Sequence, residues 1–266
     1  MATFDPALFE DFPVKTAEFY RQVMLDFQKA GLEFLVGGAF ALGQYAGIFR
    51  HTKDLDLFVR EEDVDEMIEV LLTGGYEAKV LSSTWLAKAS CGEDFIDLIF
   101  NSGNGLSPVD DTWFARASRV DVIGVQAQVC PVEEVIWTKA YLMERERFDG
   151  ADVAHIIHQQ AENLEWERLI ELFGPHWRVL LSHVVLFGFI YPSERDRIPR
   201  SVMIELLDRL VEEEGRGSEA TNICRGTLLS RHQYMVDVEA WGYADARVEP
   251  HGEMTQQQAV CLSMPD

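Results

Sequence analysis

Apolar side chains between residues 17 and 30 fall at helical spacing, Phe19, Tyr20, Val23, Met24 and Phe27, and Gly31 follows as a stop, so the pattern predicts an opening helix. The period then changes. Phe34-Leu35-Val36 is a short apolar run closed by Gly37-Gly38, and residues 39–45 are rich in helix formers, which reads as strand, glycine turn, helix. A basic connector, Arg50-His51-Thr52-Lys53, leads into residues 54–59. These alternate, with Asp54, Asp56 and Phe58 on one face and Leu55, Leu57 and Val59 on the other, as a strand requires. By the same alternation Lys53 is turned to the face opposite Asp54. Residues 63–72 predict an acidic amphipathic helix closed by Gly74-Gly75, residues 76–81 a strand, and residues 95–100 an apolar strand interrupted only by Asp97.

Residues 101–111 hold Ser, Gly, Asn, Pro and Asp and read as a loop. Two further strand-like runs, 117–122 and 125–129, end at Pro131. Beyond it the pattern is helical over 132–146, 151–161, 166–173, 177–189 and 202–214. The later strands are too close in sequence for helical crossovers, so the expected fold is α+β: a mixed β-sheet core with flanking helices, followed by a mainly helical C-terminal domain. The expected division is 1–130 for the sheet domain, 131–247 for the helical domain and 248–266, with its Gln256-Gln257-Gln258, as a flexible tail.

A chain of 266 residues has room for two such cores, and 47% hydrophobic with 26% charged residues is ordinary globular usage. The net charge of -22 changes the picture more. So acidic a surface repels a phosphate backbone, which disfavours nucleic acid as a partner but leaves room for a short RNA end at a metal-bearing site. Cys91, Cys130, Cys224 and Cys261 are scattered, without a zinc or disulfide spacing, and are expected as reduced thiols. The N-terminus, interrupted by Asp5, Glu10 and Asp11, lacks the form of a secretory signal. The greasy stretch 179–191 is too short to span a bilayer. A soluble cytoplasmic protein with no membrane partner is the expectation.

Residues two apart on a strand project from one face, so Asp54 and Asp56 can reach the same hard cation. Their mutual repulsion, and the poor fit of Asp to a strand, call for a compensating positive charge. Asp97, inside an apolar strand where an unpaired charge is expensive, supplies a third carboxylate. Three converging carboxylates are suited to Mg²⁺ (or Mn²⁺), with Asp97 either a ligand or a base for an acceptor hydroxyl. Gly37 and Gly38, at the start of a helix, would let backbone N–H groups approach phosphate oxygens.

The segments Leu35-Val36-Gly37-Gly38-Ala39-Phe40-Ala41-Leu42, His51-Thr52-Lys53-Asp54-Leu55-Asp56-Leu57-Phe58 and Phe95-Ile96-Asp97-Leu98-Ile99 together resemble the signature of the nucleotidyltransferase superfamily with the polymerase-β-like fold. The flavour is similar to antibiotic nucleotidyltransferases and to toxin nucleotidyltransferases of the AbiEii kind. The resemblance implies a nucleoside triphosphate as substrate and Asp54, Asp56 and Asp97 as metal-binding catalytic residues, with Gly37 and Gly38 at the phosphates. It covers roughly residues 30–100 well and the rest loosely. In toxin-type relatives a helical Lys and an Arg-Asp-x-x-Asp-like segment complete the triphosphate site. Lys139 and Arg147-Phe148-Asp149-Gly150-Ala151-Asp152 are similar, which implies phosphate binding by Lys139, although a charged helix face with local pairs explains them equally.

Asp149, Asp152, His155 and His158 recur at three-residue spacing, which reads either as a metal cluster or as packed and solvated side chains. The dense mixture of aromatic and polar residues over 228–234 and 237–243 reads either as a polar network at an acceptor site or as helix surface with a Trp/Tyr packing cluster, and no catalytic role is assigned there. For the acceptor, an acidic surface favours a small cationic molecule such as an antibiotic-like sugar or amino alcohol, with a tRNA end or a protein hydroxyl as the toxin-type alternative. A non-catalytic module, sensing nucleotide or binding protein through the same fold, is the reading from a different class.

Overall fold

A computed structural model describes residues 13–49, 52, 54–217 and 221–262. The expectations placed on the N-terminal segment and on Arg50, His51 and Lys53 fall outside the described residues. The chain divides into two compact units, Met1–Pro131 and Val132–Asp266.

The first unit runs α1 (Val14–Ala30), β1 (Leu35–Val36), α2 (Gly38–Ala46), β2 (Asp54–Phe58), α3 (Val64–Thr73), β3 (Glu77–Ser82), β4 (Leu86–Cys91), β5 (Asp94–Ile99), α4 (Asp111–Arg116), β6 (Ser118–Val122) and β7 (Val125–Val129). Among the described residues, its seven strands form one mixed sheet in the order β3-β4-β5-β2-β1-β7-β6. β2 pairs parallel with β5, and β1 parallel with β7; the remaining neighbours are antiparallel. Hydrophobic alternation sets this register. Leu55, Leu57, Ile96 and Leu98 are fully buried from one face of the two central strands, and a slip of one residue would exchange them for Asp54, Asp56 and Asp97. α1 buries Phe19, Tyr20, Val23, Met24 and Phe27 and packs against α3 and β7; Gly31, at φ 79°, ends it in the left-handed region.

β4 is the strand that periodicity does not reveal. Ala87, Lys88, Ala89 and Ser90 have weak strand preference, and the segment is extended because β3 and β5 pair with it on both sides. A tight turn at Gly92-Glu93 joins it to β5, with Gly92 at φ 67°.

The second unit is mainly helical: α5 (Val132–Ala140), α6 (Gly150–Gln160), α7 (Trp166–Phe173), α8 (Trp177–Ile190), α9 (Arg200–Arg216), β8 (Ile223–Cys224), α10 (Met235–Glu239), β9 (Ala244–Asp245) and α11 (Gln256–Leu262). The helix expected over 132–146 ends at Ala140. The chain turns there because Glu144 accepts N–H from Arg231 and the hydroxyl of Ser230, while Met143 and Phe148 bridge across the turn. The span Trp166–Ile190 has the length and hydropathy of a membrane helix, but a 3₁₀ turn at Gly174–His176 breaks it. Its apolar residues Leu169, Ile170, Phe173, Trp177, Leu180, Val184 and Phe187 lie in the core of the unit. His183, buried on α8, bonds the Ala140 carbonyl at 2.9 Å and fixes the end of α5.

The stretch after Val248, whose composition suggests a flexible tail, carries α11 and a bridge between Val248 and Met254. Met254, Ala259 and Leu262 are buried, which gives the segment an apolar anchor that its glutamines conceal.

Candidate active site

The β2–β5 pairing sets Asp56 directly opposite Asp97, with Asp54 opposite Phe95. Alternation then turns all three carboxylates to one face, where each offers an oxygen within 4.8 Å of the others and each residue is half-buried. Such an arrangement is costly without a cation. Repulsion between like charges at this separation is poorly screened when the groups are partly removed from water.

Asp54 and Asp97 each have a polar partner close by. The Thr52 hydroxyl donates to Asp54 Oδ1. Lys88, in register with Asp97 on the strand that the sequence conceals, brings Nζ to 3.2 Å from Asp97 Oδ1 in an ion-pair contact, and the same ammonium lies 3.6 Å above the Phe95 ring. Burial pushes the Asp97 carboxyl above its ordinary pKa; the Lys88 ammonium works against that shift and the Asp54 charge adds to it. Tyr20, a fully buried residue of α1, has its phenol pushed up by burial first, then by the charges of Asp94, Asp54, Asp56 and Asp97, so it stays protonated. The Thr16 hydroxyl, in the first turn of α1, donates to Asp94 Oδ1 at 3.0 Å and ties that helix to the start of β5.

The glycine pair has a steric reason for being there. Gly38 has φ 52°, and a Cβ on it would lie 1.7 Å from Asp56 Oδ2; a Cβ on Gly37 would lie 2.3 Å from Phe58 Cε2. Any larger residue would displace the carboxylate or the ring that β2 presents. The Gly37 N–H is committed to the Asp56 carbonyl at 2.9 Å, extending the β1–β2 ladder. The first intrahelical bond of α2 runs from Ala41 N–H to Gly37 O, so the first-turn N–H groups of Gly38 and Ala39 have no acceptor inside the helix. Phe58 stacks on Trp113 at 5.5 Å and is held on the same side of the sheet.

Thr52, Lys88 and Tyr20 are the residues at this site that sequence reasoning passed over. Tyr20 reads as one more apolar position of an amphipathic helix. Lys88 lies on β4, whose residues carry no strand pattern of their own.

In the second unit, Lys139 Nζ bonds Asp149 Oδ2 at 3.0 Å and Asp152 Oδ2 at 2.8 Å, all three largely buried, and Arg147 forks onto Asp149 with two contacts of 3.1 Å. Burial opposes ionisation of Asp149, but the Arg147 hydrogen bonds and then the Lys139 charge hold its carboxyl below the ordinary pKa. The cluster is a compensated ionic network at the α5–α6 connection. His158 packs against Tyr191 and bonds the side chain of Gln159. Asp54, Asp56 and Asp97 are the one carboxylate, His and Cys grouping with metal-binding geometry among the described residues, and the Asp149, Asp152, His155 and His158 spacing gives none there.

The family model described as "Nucleotidyl transferase of unknown function (DUF2204)" matches residues 16–173. Among solved structures, the chain is similar to the antibiotic-resistance factor ANT(2'')-Ia at 15% identity and a TM-score of 0.45, with 64% of this chain and 96% of that chain covered. It is similar to the lincomycin-bound lincosamide antibiotic adenylyltransferase LnuA at 13% identity and a TM-score of 0.38, covering 54% and 96%. An antigenic nucleotidyltransferase-like protein from Paracoccidioides brasiliensis aligns at 11% identity and a TM-score of 0.42, covering 68% and 91%. No curated protein matches the chain.

Two consequences can be measured. Gly38→Ala combines a strained backbone with a clash against Asp56, so we expect a loss of about 1–3 kcal/mol in urea unfolding, accompanied by weakened Mn²⁺ binding. Asp97→Asn tests the burial of charge. Because the folded pKa of Asp97 is raised, its contribution to stability is full below the ordinary carboxylate value and is lost as pH rises through the folded value. In EDTA, thermal melts from pH 4 to 8 should therefore show the difference between variant and wild type moving in favour of Asn as pH rises. A difference that does not change with pH contradicts the assignment.

Proposed function

Because the chain belongs to the family of nucleotidyl transferases of unknown function, we propose that it moves a nucleoside monophosphate from a nucleoside triphosphate to a hydroxyl or phosphate acceptor, with pyrophosphate leaving. The observation that carries this reading is the convergence of Asp54, Asp56 and Asp97 on one face of the sheet, their ligand oxygens within 4.8 Å of one another. The donor set fits the implied cation: all oxygen, three half-buried carboxylates and a repulsion that needs positive charge, as a hard ion such as Mg²⁺ or Mn²⁺ requires. When bound there, the ion supplies neutralisation of triphosphate charge and a lowered pKa for the acceptor hydroxyl.

The chain's own groups take the remaining roles. Asp54 and Asp56 hold the ion, and Asp97 either joins them or accepts the hydroxyl proton. The start of α2, with the Gly38 and Ala39 N–H groups and the positive end of the helix, seats phosphate oxygens. Lys139 is proposed as a phosphate-binding point charge, which requires its ammonium to give up one of its two carboxylate partners.

For the acceptor, the net charge of -22 favours a small cationic molecule, drawn by the same field that repels a polyanion. A tRNA end and a protein hydroxyl are the alternatives. A reducing compartment, the cytoplasm, suits the four free thiols.

Incubation with Mg²⁺ and triphosphates labelled at either the α or the γ phosphate, against cationic amino sugars and amino alcohols, bulk tRNA and a protein extract, tests the proposal. We expect label to reach an acceptor from the α position only. Asp56→Asn should reduce transfer by more than the roughly 10–100-fold that removal of an outer-sphere metal partner costs. Metal-independent nucleotide binding that Asp56→Asn leaves unchanged, with no transfer to any fraction, would instead identify a nucleotide-sensing module.

A further inference from the structure

α9 has two apolar faces, and its own unit covers only one. Val202 and Leu206 are buried, whereas Ile204, Leu207 and Val211 on the other side are 46%, 42% and 70% exposed. The exposed three belong to a longer stripe, Arg200, Ile204, Leu207, Val211 and Glu214, which alternates steps of four and three and so stays on one side of the helix. The stripe is charged at its ends with opposite signs, and both end residues are exposed.

We propose that α9 is the contact helix of a homodimer, pairing antiparallel with α9 of a second copy about a two-fold axis at Leu207. Charge complementarity selects this occupant. Arg200 and Glu214 lie equally far from Leu207, seven residues or about 10 Å on either side. An antiparallel pair therefore sets each Arg200 opposite Glu214 of the second copy. Ile204 then meets Val211 of the second copy at nearly the same height, and Leu207 meets its own equivalent, the isologous arrangement that a two-fold axis demands. Parallel pairing would oppose like charges at both ends.

Glu214 already accepts a 3.3 Å contact from Arg178, whose main partner is Glu213 at 2.9 Å, so Arg200 of the second copy would join a carboxylate shared only weakly. The same contacts show that α8 runs antiparallel to α9, its first turn beside the last turn of α9. One helix pair falls short of the roughly 1,200 Å² that a stable interface needs, and α8 leaves further apolar surface uncovered at Val185 and Phe189, 54% and 81% exposed. An anionic lipid surface is a poor occupant, since the chain carries a charge of -22.

Sedimentation velocity of the full chain across a concentration series tests the interface. We expect a reversible dimer, with the dissociation constant raised at least about 10-fold by Leu207→Glu, which puts two carboxylates on the axis. These positions are exposed, so circular dichroism should report unchanged folding. In a Cys91→Ser, Cys261→Ser background, Leu207→Cys should cross-link to itself under mild oxidation, while Ser201→Cys, exposed on another side of α9, should not. A monomer at every concentration, a dimer indifferent to Leu207→Glu, or equal cross-linking at positions 201 and 207 overturns the proposal. So does flotation of the wild type with phosphatidylcholine vesicles that Leu207→Glu abolishes.

Discussion

Parallel pairing of β2 with β5 sets Asp56 beside Asp97 and leaves Asp54 two residues away on the same face. The hydrophobic effect creates this electrostatic problem: burial of Leu55, Leu57, Ile96 and Leu98 fixes a register that forces three carboxylates together. Each fully buried aliphatic side chain contributes about 1.5–3 kcal/mol, enough in sum to hold the carboxylates against their repulsion. Stability of the sheet and chemistry of the site are therefore coupled through one register.

The surrounding elements answer to that constraint. α2 can begin directly over β2 because Gly37 and Gly38 have no side chains to collide with Phe58 and Asp56. Lys88 supplies a positive charge from the adjacent strand, and its ammonium is well placed to offset Asp97 when nothing else does. Tyr20, on α1, has a phenol that burial first, and the carboxylate charges second, keep protonated. A site formed in this way is preorganised, since its carboxylates project from paired strands rather than from loops.

Much of this was legible in the residues. Asp54 and Asp56 needed only strand alternation, and the Gly-Gly turn followed from the change of period around it. The seven-stranded sheet was less legible, because β4 owes its conformation to its neighbours rather than to its own residues. With β4 went Lys88, and with it the main cation at Asp97. The steric demand on Gly38 was equally invisible, since it depends on Asp56, eighteen positions along the chain. In the second unit helical periodicity located α6 to α9, but the early end of α5 depends on Glu144 meeting Ser230 and Arg231 across 86 and 87 residues. No local pattern encodes such a contact. The buried Arg247–Asp245 pair at 2.6 Å was hidden for a different reason, as neither residue stands in a periodic run.

The proposed role of the three carboxylates is to seat a divalent ion. Anomalous diffraction from crystals grown with Mn²⁺ and a non-hydrolysable nucleotide tests it most directly. Manganese is expected against Asp54 and Asp56, beside Asp97, with the Lys88 ammonium moved away from Asp97. Crystals that bind nucleotide with the Lys88–Asp97 pair intact and no anomalous density among the three carboxylates would contradict it.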